Sequence, residues 1–352
     1  MEMIVLKPKI NSKFHFGEGS LEGSNYIFHS NSLFSAIANN YIKIYGEDED
    51  FEKIKNIKLS SLFLKVDDIY LIPKPEHPRF YILKNKVEGV RPKDIKKIQF
   101  FSIKAYKELL EGILNWNENR LKEIIDNQVI NKTILVSNEE VEKLKNIFEV
   151  GNKKLISRVI EQKVAIDRLK NTTLEKDGRG QLYNIEFIKL HPKAEFYFLI
   201  DYNSDDGEFI KKVKASIKLI EDEGLGGKRS IGAGFFENVE FLDMPKDFKG
   251  LFEKDEKYSV LLGVGIPKND DIKKIGYYKL IEIGGYIYHP KCLTKPKRNV
   301  LALAEGSIVK KEFEGDIKDI TPENYKISKV YAHGKPILLP FNLKGDKNES
   351  KM

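Results

Sequence analysis

The first apolar run, MIVLKP (Met3 to Pro8), predicts an opening strand. A polar, glycine-rich stretch follows, KINSKFHFGEGSLEGSNYIFH. After it, Leu33, Phe34, Ile37, Ala38 and Tyr41 recur at the three- and four-residue spacing of a buried helical stripe. Ser30 or Asn31 can cap that helix, because a short polar side chain accepts from a backbone N–H that the first turn leaves unpaired. LFLKVDDIYLIP and RFYILK predict short strands punctuated by Pro73, Pro75 and Pro78. A longer helix fits from about Ser102 to Asp126, and another fits EEVEKLKNIF.

VAIDRLKNTTLEKDGRGQLYNIEFIKL then predicts two strands around a Gly-Arg-Gly turn, and AEFYFLIDY alternates as a further strand. From Glu208 a helix places Phe209, Val213, Ile217 and Ile220 on one face and stops at Gly224, a suitable C′ residue. GFFENVEFLD, KYSVLLGVGIP and YYKLIEIGGYIY continue as strands to about Tyr288, and the tail LKGDKNESKM is polar and frayed. The order β-α-β-β, helical insertions, β-α-β-β predicts an α+β fold with mostly antiparallel sheets.

Composition changes this picture little. The 352 residues suffice for two domains; 41% are hydrophobic, which is ordinary for a globular chain. The +7 balance of 60 Lys+Arg against 53 Asp+Glu is weak evidence for a polyanionic partner. The single cysteine, Cys292, excludes a disulfide framework and a cysteine-rich zinc site and reads as a small half-buried residue. The start MEMIVLKPKINSKF does not fit a signal peptide, and no stretch nears the ~18 apolar residues that span a bilayer. A cytoplasmic protein is expected, and abundant Lys, Glu and Ile lean toward a thermophilic source.

The chemistry concentrates in GLGGKRSIGAG, where five glycines surround Lys228, Arg229 and Ser230. A phosphate-binding Walker loop is excluded by spacing: five residues before Gly227 stands Asp222, and Arg229 follows Lys228. A dinucleotide fingerprint fails because Arg229 occupies the place of its third glycine. Chain order also opposes both, since this loop runs from helix to strand and offers a helix C-terminus, the wrong dipole end for phosphate. Two readings stay open: a glycine-rich turn, or a loop whose Gly226, Gly227, Lys228, Arg229 and Ser230 track a nucleic-acid backbone.

That loop, after a helix and before a strand, resembles the glycine-rich motif of the RAMP superfamily of CRISPR proteins. FHFGEGSLEGSNYIFHSNSLFSAI resembles one branch of it, the fourth subunits of type III-A (Csm) effector complexes. VAIDRLKNTTLEKDGRGQLYNIEF is similar to the family's protruding thumb, and VYAHGKPILLPF to that branch's C-terminal element. The resemblance implies two ferredoxin-like (RRM-like) domains, 1–190 with helical insertions and a thumb hairpin at about 160–187, and 191–342 with the glycine-rich loop, followed by a flexible tail 343–352. It implies a non-catalytic subunit that grips the 5′ repeat-derived tag of the crRNA and docks the large polymerase-like subunit and the repeated backbone subunit, with no cofactor and no membrane.

On this resemblance, Lys228, Arg229 and Ser230 would meet the tag backbone. Ser30 and Asn31 would either cap their helix or receive a phosphate at its N-terminus. Phe14 and His15 would stack on a base or pin their own loop. Ile166 would wedge between bases while Lys163 and Arg168 hold phosphates; the alternative is an exposed hairpin with an Asp167–Arg168 surface pair. His333 and Lys335 would face RNA or a subunit. No Asp lies between Gly17 and Asn40, where the related backbone subunit carries its cleaving aspartate, and the six histidines form no metal-binding spacing. One enzymatic alternative stays open: a metal-independent repeat-RNA endonuclease using His29 or His15 as general acid or base. A further alternative is an assembly protein that touches no RNA.

Overall fold

The computed structural model describes residues 1–17, 23–81, 87–149, 154–177, 179–289 and 292–342. Expectations for the tail 343–352, and for the side chain of Cys292, fall outside the described residues. The elements that organise the molecule are strand β1 (Glu2–Pro8), helix α1 (Ser30–Tyr45), β2 (Phe63–Val66), β3 (Ile69–Pro73), helices α2 (Ile103–Glu111), α3 (Leu121–Gln128) and α4 (Asn138–Glu149), the long strands β4 (Ile156–Val164) and β5 (Leu182–Leu190), β6 (Ala194–Asp201), α5 (Gly207–Lys218), the short α6 (Ile220–Glu223), β7 (Phe236–Leu242), β8 (Tyr258–Leu261), β9 (Ile308–Lys310) and β10 (Leu338–Phe341). The fold is mixed α+β with antiparallel sheets.

The main sheet runs β7–β1–β6–β2–β3 and continues into Phe100–Ser102. Ile4 lies opposite Phe198 on one side and Phe241 on the other, and Phe196 opposite Leu64. Alternation then divides the strands between two cores. Ile4, Leu6, Leu64, Phe196, Phe198 and Ile200 pack with Leu33, Phe34, Ile37 and Tyr41 of α1 and Phe209, Val213 and Ile217 of α5. Met3, Val5, Phe63, Tyr197 and Leu199 face the other way, onto Tyr106 and Leu109 of α2 and Val260, Leu339 and Phe341. Burial on both faces is why AEFYFLI reads as a nearly unbroken apolar run.

The sheet crosses the expected domain boundary. Strands β6 and β7 and helix α5 lie beyond residue 190, yet they sit in one sheet with β1, so a boundary at 190/191 would divide that sheet. Residues 74–193 run between β3 and β6 in sequence and extend the sheet past β3 through Phe100–Ser102. The C-terminal part pairs β8 with β9 and β10 and adds small ribbons, and among the described residues after Phe252 no α-helix occurs. The elements expected for a second βαββαβ half are therefore spent on the first sheet. RFYILK is not a strand as far as it is described: Pro78–Phe80 is a 3-10 turn. The helix expected over about 102–126 is two. Ser102 caps α2 by accepting from Ala105 N–H at 3.1 Å, and Gly112, left-handed at φ 78°, ends it before α3.

β4 and β5 form a nine-residue-long antiparallel ribbon, from Ile156↔Leu190 to Val164↔Leu182. The register sorts its faces. Tyr183, Ile185, Phe187 and Lys189 share one with Lys163, Glu161, Val159 and Ser157. Beyond it, Ile166–Asp167 pairs with Thr172–Thr173.

Candidate nucleic-acid interface

The glycine-rich loop leaves α6 at Gly224 and reaches β7 through a 3-10 turn over Arg229–Ile231. Its glycines approach the protein's own backbone. A Cβ on Gly234 would lie 2.2 Å from the Leu225 carbonyl oxygen, and one on Gly224 2.6 Å from that of Gly234. On Gly226 it would lie 2.6 Å from the His15 carbonyl oxygen, and on Gly227 3.0 Å from the His15 ring. The hydrogen bonds agree: Gly227 N–H donates to His15 O and Gly234 N–H to Lys13 O, each at 2.8 Å. Of the five, only Gly232 opens onto free space. The glycines let this loop and residues 13–16 close on each other.

The contact arms a surface. Ala233 packs on Ile185 and Phe187 of β5. Lys228 is held left-handed at φ 62°, and its Nζ stands 6.0 Å from the ring centre of Tyr183. A non-glycine residue in that region carries strain, which is often found where function positions a side chain. Tyr183 is 39% exposed. Opposite it on the ribbon, Lys163 shares Glu161 with Lys13, at 2.8 and 2.5 Å. The Lys13 and Lys163 ammonium groups hold the Glu161 carboxyl below its usual range. Arg229 and Ser230 are exposed. The Arg229 guanidinium also donates to Glu223 O at 2.9 Å, capping α6.

The remaining candidates divide clearly. Ile166, 54% exposed, and Arg168 lie on the short hairpin that follows β4. Phe14 is fully buried against Phe196 and Phe236, at 5.1 and 5.2 Å between ring centres, so the expectation that it stacks on a base is corrected: no ring face is free. His15 is likewise buried, its Nδ1 2.9 Å from Glu186 O and its ring edge-on to Phe187; it pins its own loop.

The α1 N-terminus is closed by the C-terminal part. Ser30 is fully buried, accepting from Val264 N–H at 2.8 Å while its own N–H donates to Ser61 Oγ at 2.7 Å. Asn31 Oδ1 accepts from His333 N–H at 2.8 Å. Neither presents a phosphate site, which corrects that expectation. His29 occupies the N-cap position without a capping bond, and its Nδ1 lies 2.8 Å from buried Glu305. Burial alone would raise the Glu305 pKa; His29 and Ser61 bring it below the usual range. Lys335 donates to Asn56 Oδ1 at 2.9 Å, and burial lowers its pKa.

His333 lies inside the chain rather than at its surface. It is fully buried and stacked on Phe34 at 4.2 Å, with Nε2 3.0 Å from Ile57 O and Nδ1 unpartnered among the described residues. That pattern fits a neutral ring donating from Nε2, and burial pushes its pKa down to about 3. The unfolded chain therefore takes up a proton first as pH falls. Stability from this group is complete above about 6.5 and drains between there and about 3, by up to about 1.4 kcal/mol per pH unit. Denaturant midpoints measured across that window should fall less steeply for His333→Phe than for the parent chain; equal slopes would refute the assignment.

Sequence reasoning missed Tyr183 and Glu305. A signal for Tyr183 existed in the alternation of QLYNIEF, which puts it on the face of Ile185 and Phe187. Among the described residues no three His, Cys, Asp or Glu side chains group as a metal site, and no helix is long and apolar enough to cross a membrane.

An antiparallel α+β sheet carrying a glycine-rich helix-to-strand loop beside a projecting ribbon matches a known class. Residues 9–237 fit the RAMP superfamily model, and residues 254–341 fit the model of the CRISPR Csm4 C-terminal domain. The chain is 64% identical to the CRISPR system Cms protein Csm4 of Methanocaldococcus jannaschii, over 98% of this chain and 99% of that protein. It superposes with a TM-score of 0.76 and 58% identity on a chain of the Csm3–Csm4 subcomplex in the type III-A CRISPR-Cas interference complex, covering 97% of this chain and 100% of that one. A chain of a Csm1–Csm4 cassette in complex with pppApA, 19% identical over 98% of this chain and 99% of that one, shares the fold at a TM-score of 0.57. The chain belongs to the Csm4 family of the RAMP superfamily.

Proposed function

We propose that this chain is the non-catalytic, RNA-binding subunit of a cytoplasmic type III-A Csm interference complex. It grips the 5′ repeat-derived tag of the crRNA and docks the repeated backbone subunit and the large polymerase-like subunit. Kinship with a chain solved in a Csm3–Csm4 subcomplex supports the docking. The observation that carries the RNA reading is the Lys228–Arg229–Ser230 turn, with Arg229 and Ser230 exposed and Lys228 beside the part-exposed ring of Tyr183. Cations above an aromatic platform take a single strand by phosphate contact and base stacking. The strand order β7–β1–β6–β2, built as β1–α1–β2 and β6–α5–β7, is that of one ferredoxin-like unit, with β4 and β5 as the base of its thumb. The domain division that fits this order places residues 2–73 and 194–242 in that unit and 254–341 in a second, largely β domain.

Lys228→Ala with Arg229→Ala should weaken binding of tag-bearing RNA by about tenfold or more, about 1.4 kcal/mol or more. Losing two phosphate contacts should also shallow the salt slope by about 1.4. Tyr183→Ala should cost about 1–3 kcal/mol of affinity and Tyr183→Phe far less. Unchanged affinity and slope in the double variant would favour an assembly protein without RNA contact. Co-purification with its genomic neighbours, followed by sequencing of bound RNA, should recover short RNAs sharing one 5′ tag; RNA-free complexes would sink the reading.

A second reading, a metal-independent endoribonuclease, is favoured by one observation: the His29–Glu305 pair at the α1 N-terminus, a histidine oriented by a carboxylate. Incubation with repeat RNA in EDTA tests it. Specific cleavage abolished by His29→Ala would establish it in place of the non-catalytic reading.

A further inference from the structure

A cleft of about 520 Å³ opens where the end of β1, the β2–β3 turn and the β5–β6 turn meet. Five lysines line it, Lys7, Lys9, Lys65, Lys189 and Lys193, against Asp67, Glu195 and Glu237. Lys7 pairs with Glu237 at 3.1 Å, and Lys65 with Glu195. No carboxylate among the described residues pairs with Lys9, Lys189 or Lys193, and the cleft thus carries unspent positive charge. Its walls are built rather than incidental. Lys193 N–H donates to Nδ1 of buried His191 at 3.2 Å, fixing the β5–β6 turn. Ser12 Oγ donates to Phe235 O at 3.0 Å, and Asn11 beside it is left-handed at φ 62°. Ile10 stands 88% exposed at this rim, an apolar contact among lysines.

The cleft and the glycine-loop platform lie toward opposite ends of one ribbon face, with buried Ile185 and Phe187 between them. Lys189 lies on the same ribbon face as Tyr183, six residues along β5, or about 20 Å. Residues 9–12 of the cleft run directly into Lys13 and His15, whose carbonyls receive Gly234 and Gly227. A polyanion crossing Tyr183 and the Lys228 turn therefore meets further cations toward the other end of that face. A protein partner would need an acidic segment matched to the cleft. A phosphodiester backbone supplies anions at regular intervals and a base face for Ile10, and the unpaired lysines on the ribbon face that also carries Tyr183 favour it.

We propose that this lysine cleft is a second phosphodiester-binding site, which takes the same single RNA strand after it leaves the Tyr183–Lys228 platform. The proposal rests on the RNA-binding reading above. The test measures binding of fluorescein-labelled oligouridylates of about four and about twelve nucleotides to the full-length chain, a length range that single-strand sites span. The probe variants are the triple Lys9→Ala/Lys189→Ala/Lys193→Ala, a charge-keeping triple with arginine at the same positions, and a control triple Lys96→Ala/Lys326→Ala/Lys329→Ala that removes equal charge elsewhere. Matching melting curves confirm that each variant is folded.

The cleft triple should bind the short probe as the parent does and the long probe about tenfold or more weaker, with a salt slope shallower by about 2. The arginine triple and the control triple should bind both probes like the parent. A cleft triple that matches the control triple on the long probe overturns the proposal, while loss in Lys228→Ala/Arg229→Ala alone would leave the platform reading standing. If the parent binds neither probe and the Lys228/Arg229 variant does not differ from it, the RNA reading itself falls, and the cleft with it.

Discussion

Gly234→Ala should lower the folding stability of this protein by about 2–5 kcal/mol. Two costs combine. The residue sits at φ 84°, where an L side chain is strained, and its Cβ would stand 2.2 Å from the Leu225 carbonyl oxygen. That oxygen has little room to move, because Leu225 N–H donates to Gly234 O at 2.9 Å and Gly234 N–H to Lys13 O at 2.8 Å, holding the two backbone segments together. Gly232→Ala is the control: it has nearly the same φ, 85°, and nothing within 4 Å. It should cost only the conformational part, about 1–2 kcal/mol. Denaturant unfolding of the two variants separates the interpretations. If these glycines existed to admit RNA, Gly234→Ala would fold like Gly232→Ala and fail only in binding. A clear gap in unfolding midpoint, with RNA affinity lost along with the fold, is the outcome the geometry requires.

Glu305→Ala should cost about 1–3 kcal/mol, because it leaves the buried Ser61 hydroxyl and the His29 ring without their shared carboxylate partner. Glu305 is 7% exposed and joins His29 and Ser61, while Ser61 Oγ receives the Ser30 N–H. The carboxylate thus ties the C-terminal part to the first turn of α1, and its loss should loosen that contact before it touches the Tyr183 surface. Its lowered pKa gives a second readout. Stability from this group is complete above the ordinary Glu range near 4.5 and is lost as pH falls through the lower folded value. Glu305→Gln keeps the shape without the titration, so its acid limb below about 4.5 should be shallower than that of the parent. A Glu305→Ala chain as stable as its parent would show that the contact contributes nothing to the fold.

Local pattern made several features legible. The α1 stripe of Leu33, Phe34, Ile37 and Tyr41 is buried as its spacing requires. The glycine-rich loop follows a helix and enters a strand, as read. The single helix expected over about 102–126 failed because Gly112 adopts the left-handed stop that only its backbone could declare. Ser30, Asn31 and His333 are polar residues with plausible surface roles, and their burial depends on partners more than two hundred residues distant.

The sequence by itself determined most of the periodic elements, the excluded nucleotide loops and the cation-bearing turn, because each rests on spacing within about a dozen residues. Tertiary structure alone decided which face each element meets. It placed β6 and β7 beside β1, shut the α1 N-terminus under the C-terminal part, and set Tyr183 beside Lys228. It also turned the glycines of GLGGKRSIGAG toward residues 13–16. The physical reason is one of range. Backbone propensity and capping act between neighbours, whereas burial, desolvation and carbonyl-to-Cβ clearance are set by whatever segment folds against a residue, however far away it lies in the chain.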